Sequence, residues 1–118
     1  MKFQAKHSII RSVDGRIKYK VFNLGGREHY NIGIWIDGSN RDLDQVVRVD
    51  YILHASFSNR VRTSRNRLNN FSVTFWTWGM FDIPIKIHLQ NGKVEEVNYY
   101  LEYKLPPDDG STYLELSE

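Results

Sequence analysis

Residues 81 to 89, FDIPIKIHL, set Phe81, Ile83, Ile85, Ile87 and Leu89 at every second position, with Asp82, Pro84, Lys86 and His88 between them. A helix turning every 3.6 residues would scatter these five apolar side chains around its axis, whereas a strand gathers them on one face. Asn91-Gly92 follows, a pair that tolerates the positive φ angles of a tight hairpin turn. The return run then puts Val97, Tyr99, Leu101 and Tyr103 on one side and Glu96, Asn98 and Glu102 on the other. This hairpin fixes the chain as a β protein before anything else is read. Pro84 lacks the N–H a ladder needs, so its strand is expected at a sheet edge or with a bulge at that point.

The same period recurs upstream. Tyr30, Ile32, Ile34 and Ile36 form a row stopped by Asp37-Gly38. Val47, Val49, Tyr51 and Leu53 alternate against Arg48, Asp50 and His54, and Phe71, Val73 and Phe75 make a further short row. Asp14-Gly15, between FQAKHSII and IKYKVF, suggests a first hairpin, and Gly25-Gly26 reads as a turn. RDLDQVV offers at most one helical turn, so no substantial helix is expected. About seven or eight short antiparallel strands at this spacing predict an all-β sandwich. It is expected to occupy residues 1–118 as one domain, with 106–118 as a tail or last strand.

At 118 residues, 41% of them apolar, the chain can bury a core without staples. It has no cysteine, which excludes disulfides and thiolate metal sites and suits a reducing compartment. MKFQAKHSIIRSVDGR lacks the apolar run of a signal peptide, and no stretch approaches the roughly 18 apolar residues of a spanning helix. The expectation is a soluble cytoplasmic chain, whole or excised from a longer one. His7, His29, His54 and His88 have no ligand-like spacing, and no nucleophile elbow or phosphate-binding glycine loop is present. Neither an enzyme nor a cofactor is expected.

The net charge of +2 does not by itself call for a polyanion partner. Arg60, Arg62, Arg65 and Arg67 nevertheless fall in one stretch without an acid, while the tail carries Asp108, Asp109, Glu115 and Glu118. Phosphate contacts are one reading of those arginines. A solvated loop, or pairing with the acidic tail, is the other. No aromatic residue interleaves with them, as a single-strand platform would require, so nucleic acid ranks last among the partners.

FWTWGMFDIPI, residues 75 to 85, crowds Phe75, Trp76, Trp78 and Phe81 on both faces of one segment. Together with VVRVDYILHASFSNRVR some twenty residues earlier, this stretch resembles the YEATS-domain family: a strand ending in L-H-x-S-F, a variable loop, then W-G-x-F opening an alternating strand. The matched core runs from about Val46 to Tyr103, and LEYKLPPDDGSTY is similar to the prokaryotic branch. The resemblance implies an immunoglobulin-like sandwich and a non-catalytic reader of acetyl- or crotonyl-lysine. It further implies a slot made by His54, Ser56, Phe57, Trp78, Gly79 and Phe81. Ser56 would then bond the acylated amide, and the backbone N–H near Trp78 would meet the acyl carbonyl. Phe57 and Trp78 would sandwich the flat group, with His54 and Phe81 at the sides. The partner implied is an acylated-lysine protein or peptide.

Two positions depart from the family's pattern. Thr77 stands where a glycine is usual, and Met80 where a smaller or polar residue is common; either could narrow the slot. Plainer readings stand beside the ligand site. His54 and Ser56 could cap a strand end through local bonds. Trp76 is assigned to packing, and Trp78 could simply cover the sandwich end. A protein-interaction or sensor domain of a prokaryotic signalling or defence protein, keeping the fold without acyl-lysine selectivity, is the alternative function.

Overall fold

The structure, a computed structural model, describes residues 2–22 and 26–117. Gly25 of the expected Gly25-Gly26 turn and Glu118 of the acidic tail lie outside the described residues. Among the described residues nine strands form: β1 (Gln4–Ile9), β2 (Ile17–Val21), β3 (Glu28–Asp37), β4 (Val46–Ile52), β5 (Val61–Ser64), β6 (Val73–Thr77), β7 (Phe81–Leu89), β8 (Val94–Leu101) and β9 (Tyr113–Glu115). A short helix, α1 (Asn40–Leu43), is capped by the Ser39 hydroxyl, which accepts from the Asp42 N–H, and a 3-10 turn spans Arg67–Asn69.

The strands make two sheets facing each other. One has the order β5-β4-β7-β8, all antiparallel. The other is built on β3, with β6 along one edge and β1 and β2 along the opposite edge. Ile17, Ile32, Ile34 and Ile36 of this sheet meet Val49, Tyr51, Ile83, Ile85, Ile87 and Leu101 of the first, all without solvent exposure. Each such side chain contributes about 1.5–3 kcal/mol over leaving it in water. The alternation read from the sequence is thus the inner face of each sheet.

Three expectations are corrected by how the strands pair. The Asp14-Gly15 turn exists, with Gly15 at φ +87°, but β1 and β2 do not zip into a hairpin. They lie end to end along β3, with only an Arg11–Ile17 bridge closing the excursion between them. β7 is central, not at an edge, and the ladder irregularity lies between Val46 and Arg48 instead of at Pro84. Pro84 is tolerated because the β4–β7 ladder ends at the Tyr51–Ile85 pair, so Pro84 is paired only with Asn98 of β8. The bulge also turns Val47 outward, 45% exposed, and leaves Val46 to fill the inward place. Finally, β9 closes the tail as a strand, and it runs parallel to β2 where antiparallel pairing was expected throughout.

A buried hydrogen bond ties the β4 sheet to the segment that enters β6. The Tyr51 hydroxyl on β4 donates to the Phe71 carbonyl at 2.6 Å, just before β6. Asn70 and Phe71 both have left-handed backbones, φ +57° and +58°, which aims that carbonyl inward. Burial pushes the Tyr51 phenol well above its usual pKa, so it stays a donor.

Candidate functional site

At one end of the sandwich two connections meet. The β4–β5 loop leaves the first sheet, and the β6–β7 loop crosses from the second sheet to the first. Their shared floor is aromatic. Phe57 packs on Phe75 with ring centroids 5.9 Å apart and on Phe81 at 5.5 Å, and Phe75 stands 6.3 Å from Phe81. The His54 ring meets the edge of Phe81 at 6.0 Å. Above this floor opens a cleft of about 630 Å³, lined by Phe22, His29, His54, Ser56, Phe57, Ser58, Trp76, Thr77, Trp78, Gly79, Met80 and Phe81. All six residues implied for a slot, His54, Ser56, Phe57, Trp78, Gly79 and Phe81, therefore stand around one cavity.

The β4–β5 loop is fastened from within. Leu53 N–H donates to the Arg60 carbonyl at 2.8 Å, Arg60 Nε to the Leu53 carbonyl at 2.7 Å, and Phe57 N–H to the His54 carbonyl at 3.0 Å. His54 and Ser56 do make the local bonds expected of a strand-end cap. The Ser56 N–H donates to His54 Nδ1 at 3.1 Å, and the Ser56 hydroxyl lies 2.9 Å from the same nitrogen. Because a backbone N–H can only donate, Nδ1 is the acceptor and carries no proton. The Ser56 hydroxyl proton is drawn to it as well, which leaves the Oγ lone pairs as acceptors at the cleft.

The β6–β7 loop is held by two hydroxyls. Gly79 N–H donates to Thr77 Oγ1 at 3.3 Å, and the Gly79 carbonyl accepts from the Tyr103 hydroxyl at 3.2 Å. Thr77 is buried, with its side chain spent on this turn. Met80 is half exposed on the rim. Gly79 is unusual among loop glycines: its φ is not left-handed, and an added Cβ would meet no atom within 4 Å. Neither backbone nor neighbours among the described residues require glycine there.

Trp78 is 52% exposed, and the Arg27 guanidinium sits 4.0 Å from its ring centroid. Trp76 corrects the packing assignment. Phe75 and Thr77 point inward and are buried, so Trp76, between them, faces the outer side of its sheet and lines the cleft. Lys20 Nζ lies 4.6 Å from its ring centroid. Phe22 and His29, which stack edge to face at 4.7 Å, extend the same wall. Sequence reasoning missed these two because Phe22 follows β2 and His29 lies on β3, segments brought near β6 only by sheet assembly. The one available signal was the outward period of Lys20, Phe22 and His29.

The arginines are not gathered on the cleft. Arg62 donates to the Asn59 and Ser58 carbonyls, while Arg67 donates to Asp44, Asn40 and Asn70. Arg60 and Arg62 thus brace their own loop, Arg67 ties its turn to the α1 segment, and among the described residues none pairs with the acidic tail. Only Arg65 lacks such a bond among the described residues. No group of three metal-ligating side chains occurs there either, and no helix among them is long and apolar enough to cross a membrane.

Solved structures of similar fold are known. The yeast AF-9 homolog Yaf9 is 29% identical over 64% of this chain, with a TM-score of 0.56. The match spans 56% of the Yaf9 chain. The Yaf9 YEATS domain bound to H3K27ac shares 24% identity over 88% of this chain and 71% of its own, with a TM-score of 0.60. A third structure, the Yaf9 YEATS domain recognising an H3K122suc peptide, is 22% identical over 85% of this chain and 69% of its own, with a TM-score of 0.58. No curated protein matches the sequence. The profile of the prokaryotic YEATS domain matches residues 30–102, beginning one strand earlier than the expected core and taking in β3 with both cleft loops. With that match over more than half its length, the chain belongs to the prokaryotic YEATS domain family.

Proposed function

We propose that this protein is a non-catalytic recognition module that takes an acylated lysine side chain into the cleft between the two loops. The observation that carries the reading is the His54–Ser56 pair beside an aromatic floor. An acyl-lysine amide offers one N–H, one carbonyl and a flat apolar group. Ser56 Oγ, its own proton committed to His54 Nδ1, accepts the N–H. Gly79's amide is engaged by Thr77, so the Trp78 N–H is the donor for the carbonyl. Phe57, Phe81 and Trp78 supply the apolar faces.

Selection against unmodified lysine follows from solvation. An ammonium must shed water to enter an apolar slot, at a cost a neutral amide does not bear. A missing buried hydrogen bond costs a further ~1–3 kcal/mol. Gly79 supports the same reading, because the space that a Cβ would occupy is where a ligand's backbone or acyl carbonyl would pass. The Yaf9 YEATS domain structures with H3K27ac and H3K122suc give a precedent for binding of an acylated peptide by the same fold.

The test is a two-dimensional NMR titration with crotonyl-lysine, acetyl-lysine and unmodified lysine peptides. Shifts centred on Ser56, Phe57, Trp78 and Gly79, larger for the acylated peptides, are the expected result. Silence at millimolar peptide would reject acyl-lysine recognition and leave a protein-interaction module on this fold.

A further inference from the structure

Resting on the acyl-lysine reading, we infer that the partner segment is acidic: the acylated lysine is flanked by Asp or Glu residues that lie along the outer face of the β2–β3–β6 sheet. The cleft does not end at the slot. It continues past Trp76 to Phe22 and His29, onto that outer face, which is where a chain entering the slot side-on must run.

The charge along this extension has one sign. None of the twelve cleft-lining residues is a carboxylate. Lys20 stands over Trp76 at 4.6 Å and Arg27 over Trp78 at 4.0 Å, so each cation is held on the tryptophan that forms the wall. Neither takes part in an ion pair among the described residues. The nearest acid in sequence, Glu28, is turned to the opposite side of β3, where it accepts from the Tyr30 hydroxyl at 2.8 Å. Farther along the same face, Lys6 is already neutralised by Asp37 at 2.9 Å.

A lysine- or arginine-rich flank would meet like charge here, and an acidic flank would find two cations already ordered by stacking. Stacking matters because it removes the rotamer freedom that makes ordinary exposed ion pairs weak. Complementary charge of this kind speeds encounter and sets which partner is accepted more than it adds affinity. The carboxylates are assigned to the flanking chain because Lys20 stands on Trp76, which is not one of the slot residues; Arg27, on Trp78, borders the slot, and a succinyl-lysine peptide separates the two sources.

The experiment measures the affinity of five peptides of equal length by fluorescence anisotropy: acetyl-lysine with acidic, neutral and basic flanks, unmodified lysine with acidic flanks, and succinyl-lysine with neutral flanks. Each is measured at low and high salt, on the full chain and on the K20E/R27E double variant. The acidic flank should exceed the neutral one by about three- to tenfold at low salt, and high salt should shrink the gap. The double variant should reverse the order of acidic and basic flanks; comparing ratios within one protein cancels any change in the slot itself. Equal affinities for the three acetyl-lysine peptides, or an order unchanged in the variant, overturn the inference while sparing the acyl-lysine reading. A neutral-flank succinyl-lysine peptide that matches the acidic-flank one overturns it too, since the carboxylate then belongs to the acyl chain. An acidic peptide that binds equally with and without the acetyl group sinks the acyl-lysine reading and keeps the charge selection.

Discussion

The Tyr103 hydroxyl donates to the Gly79 carbonyl at 3.2 Å, so a residue just past β8 fixes the loop that presents Trp78. Burial raises the Tyr103 pKa, which keeps the phenol protonated and the donor in place. Tyr103→Phe removes this tie and little packing. The expected outcome is a loss of about 0.5–1.5 kcal/mol of stability by urea unfolding. Peptide affinity should fall several-fold as the loop loosens. Wild-type affinity in this variant would mean the loop holds its shape through Thr77 alone.

Gly79→Ala separates fold from function more sharply. A Cβ there meets nothing and the backbone is ordinary, so stability should hold or rise by about 0.4–1 kcal/mol. Binding of an acylated peptide should drop at least tenfold, read by calorimetry. Unimpaired binding would place the ligand elsewhere on the cleft.

In the proposed slot, Trp78 and Ser56 carry the two halves of the chemistry. Trp78 is half exposed, so Trp78→Ala should leave the melting temperature within a few degrees while abolishing measurable binding. Ser56→Ala deletes the acceptor for the amide N–H and should cost about 1–3 kcal/mol of affinity for the acylated peptide. Because unmodified lysine gains nothing from that acceptor, its weak binding should not change. A parallel loss for both peptides would contradict the assigned hydrogen bond.

Tyr51→Phe should act in the opposite way. It leaves the buried Phe71 carbonyl without a donor, at a cost of about 1–3 kcal/mol in unfolding free energy. The bond lies away from the cleft-lining residues, so peptide affinity should stay at the wild-type level. A stable Tyr51→Phe protein would show that another donor reaches that carbonyl.

Acidification should weaken the fold through His7. Its ring lies at the seam between β1 and β8, with Nδ1 bonded to the Tyr99 hydroxyl. Burial lowers its pKa below the ordinary 6.5, against a smaller raising effect of the Glu102 backbone. Between the folded value and 6.5 the unfolded chain therefore binds the extra proton. The contribution is complete above pH 6.5 and is lost as pH falls from there towards the folded value. Urea midpoints measured from pH 7.5 down to 5 should decline for the wild type and decline less for His7→Asn; identical slopes would exclude His7 as the source.

How the sequence and the tertiary structure divide the work is visible in particular residues. Phe81 to Leu89 buries its odd positions as its period demanded, and Gly92 takes the φ of +85° that its turn required. The pairing of L-H-x-S-F with W-G-x-F placed six cleft residues from two short motifs. Period two is a property of one strand, and it decides which side chains share a face wherever that strand lies. It says nothing about neighbours. That β1 and β2 share one edge of β3, that Pro84 sits in a central strand beyond the last β4 pair, and that β9 runs parallel to β2 were decided by sheet assembly. The bulge at Val47 reversed one face assignment because a single extra residue inverts every side chain on one side of it. The outer wall of the cleft, with Lys20, Phe22, Arg27 and His29 beside Trp76 and Trp78, exists only because cross-strand contacts join segments some fifty residues apart. Local pattern determined which residues face inward, and long-range pairing alone determined which outward-facing residues meet.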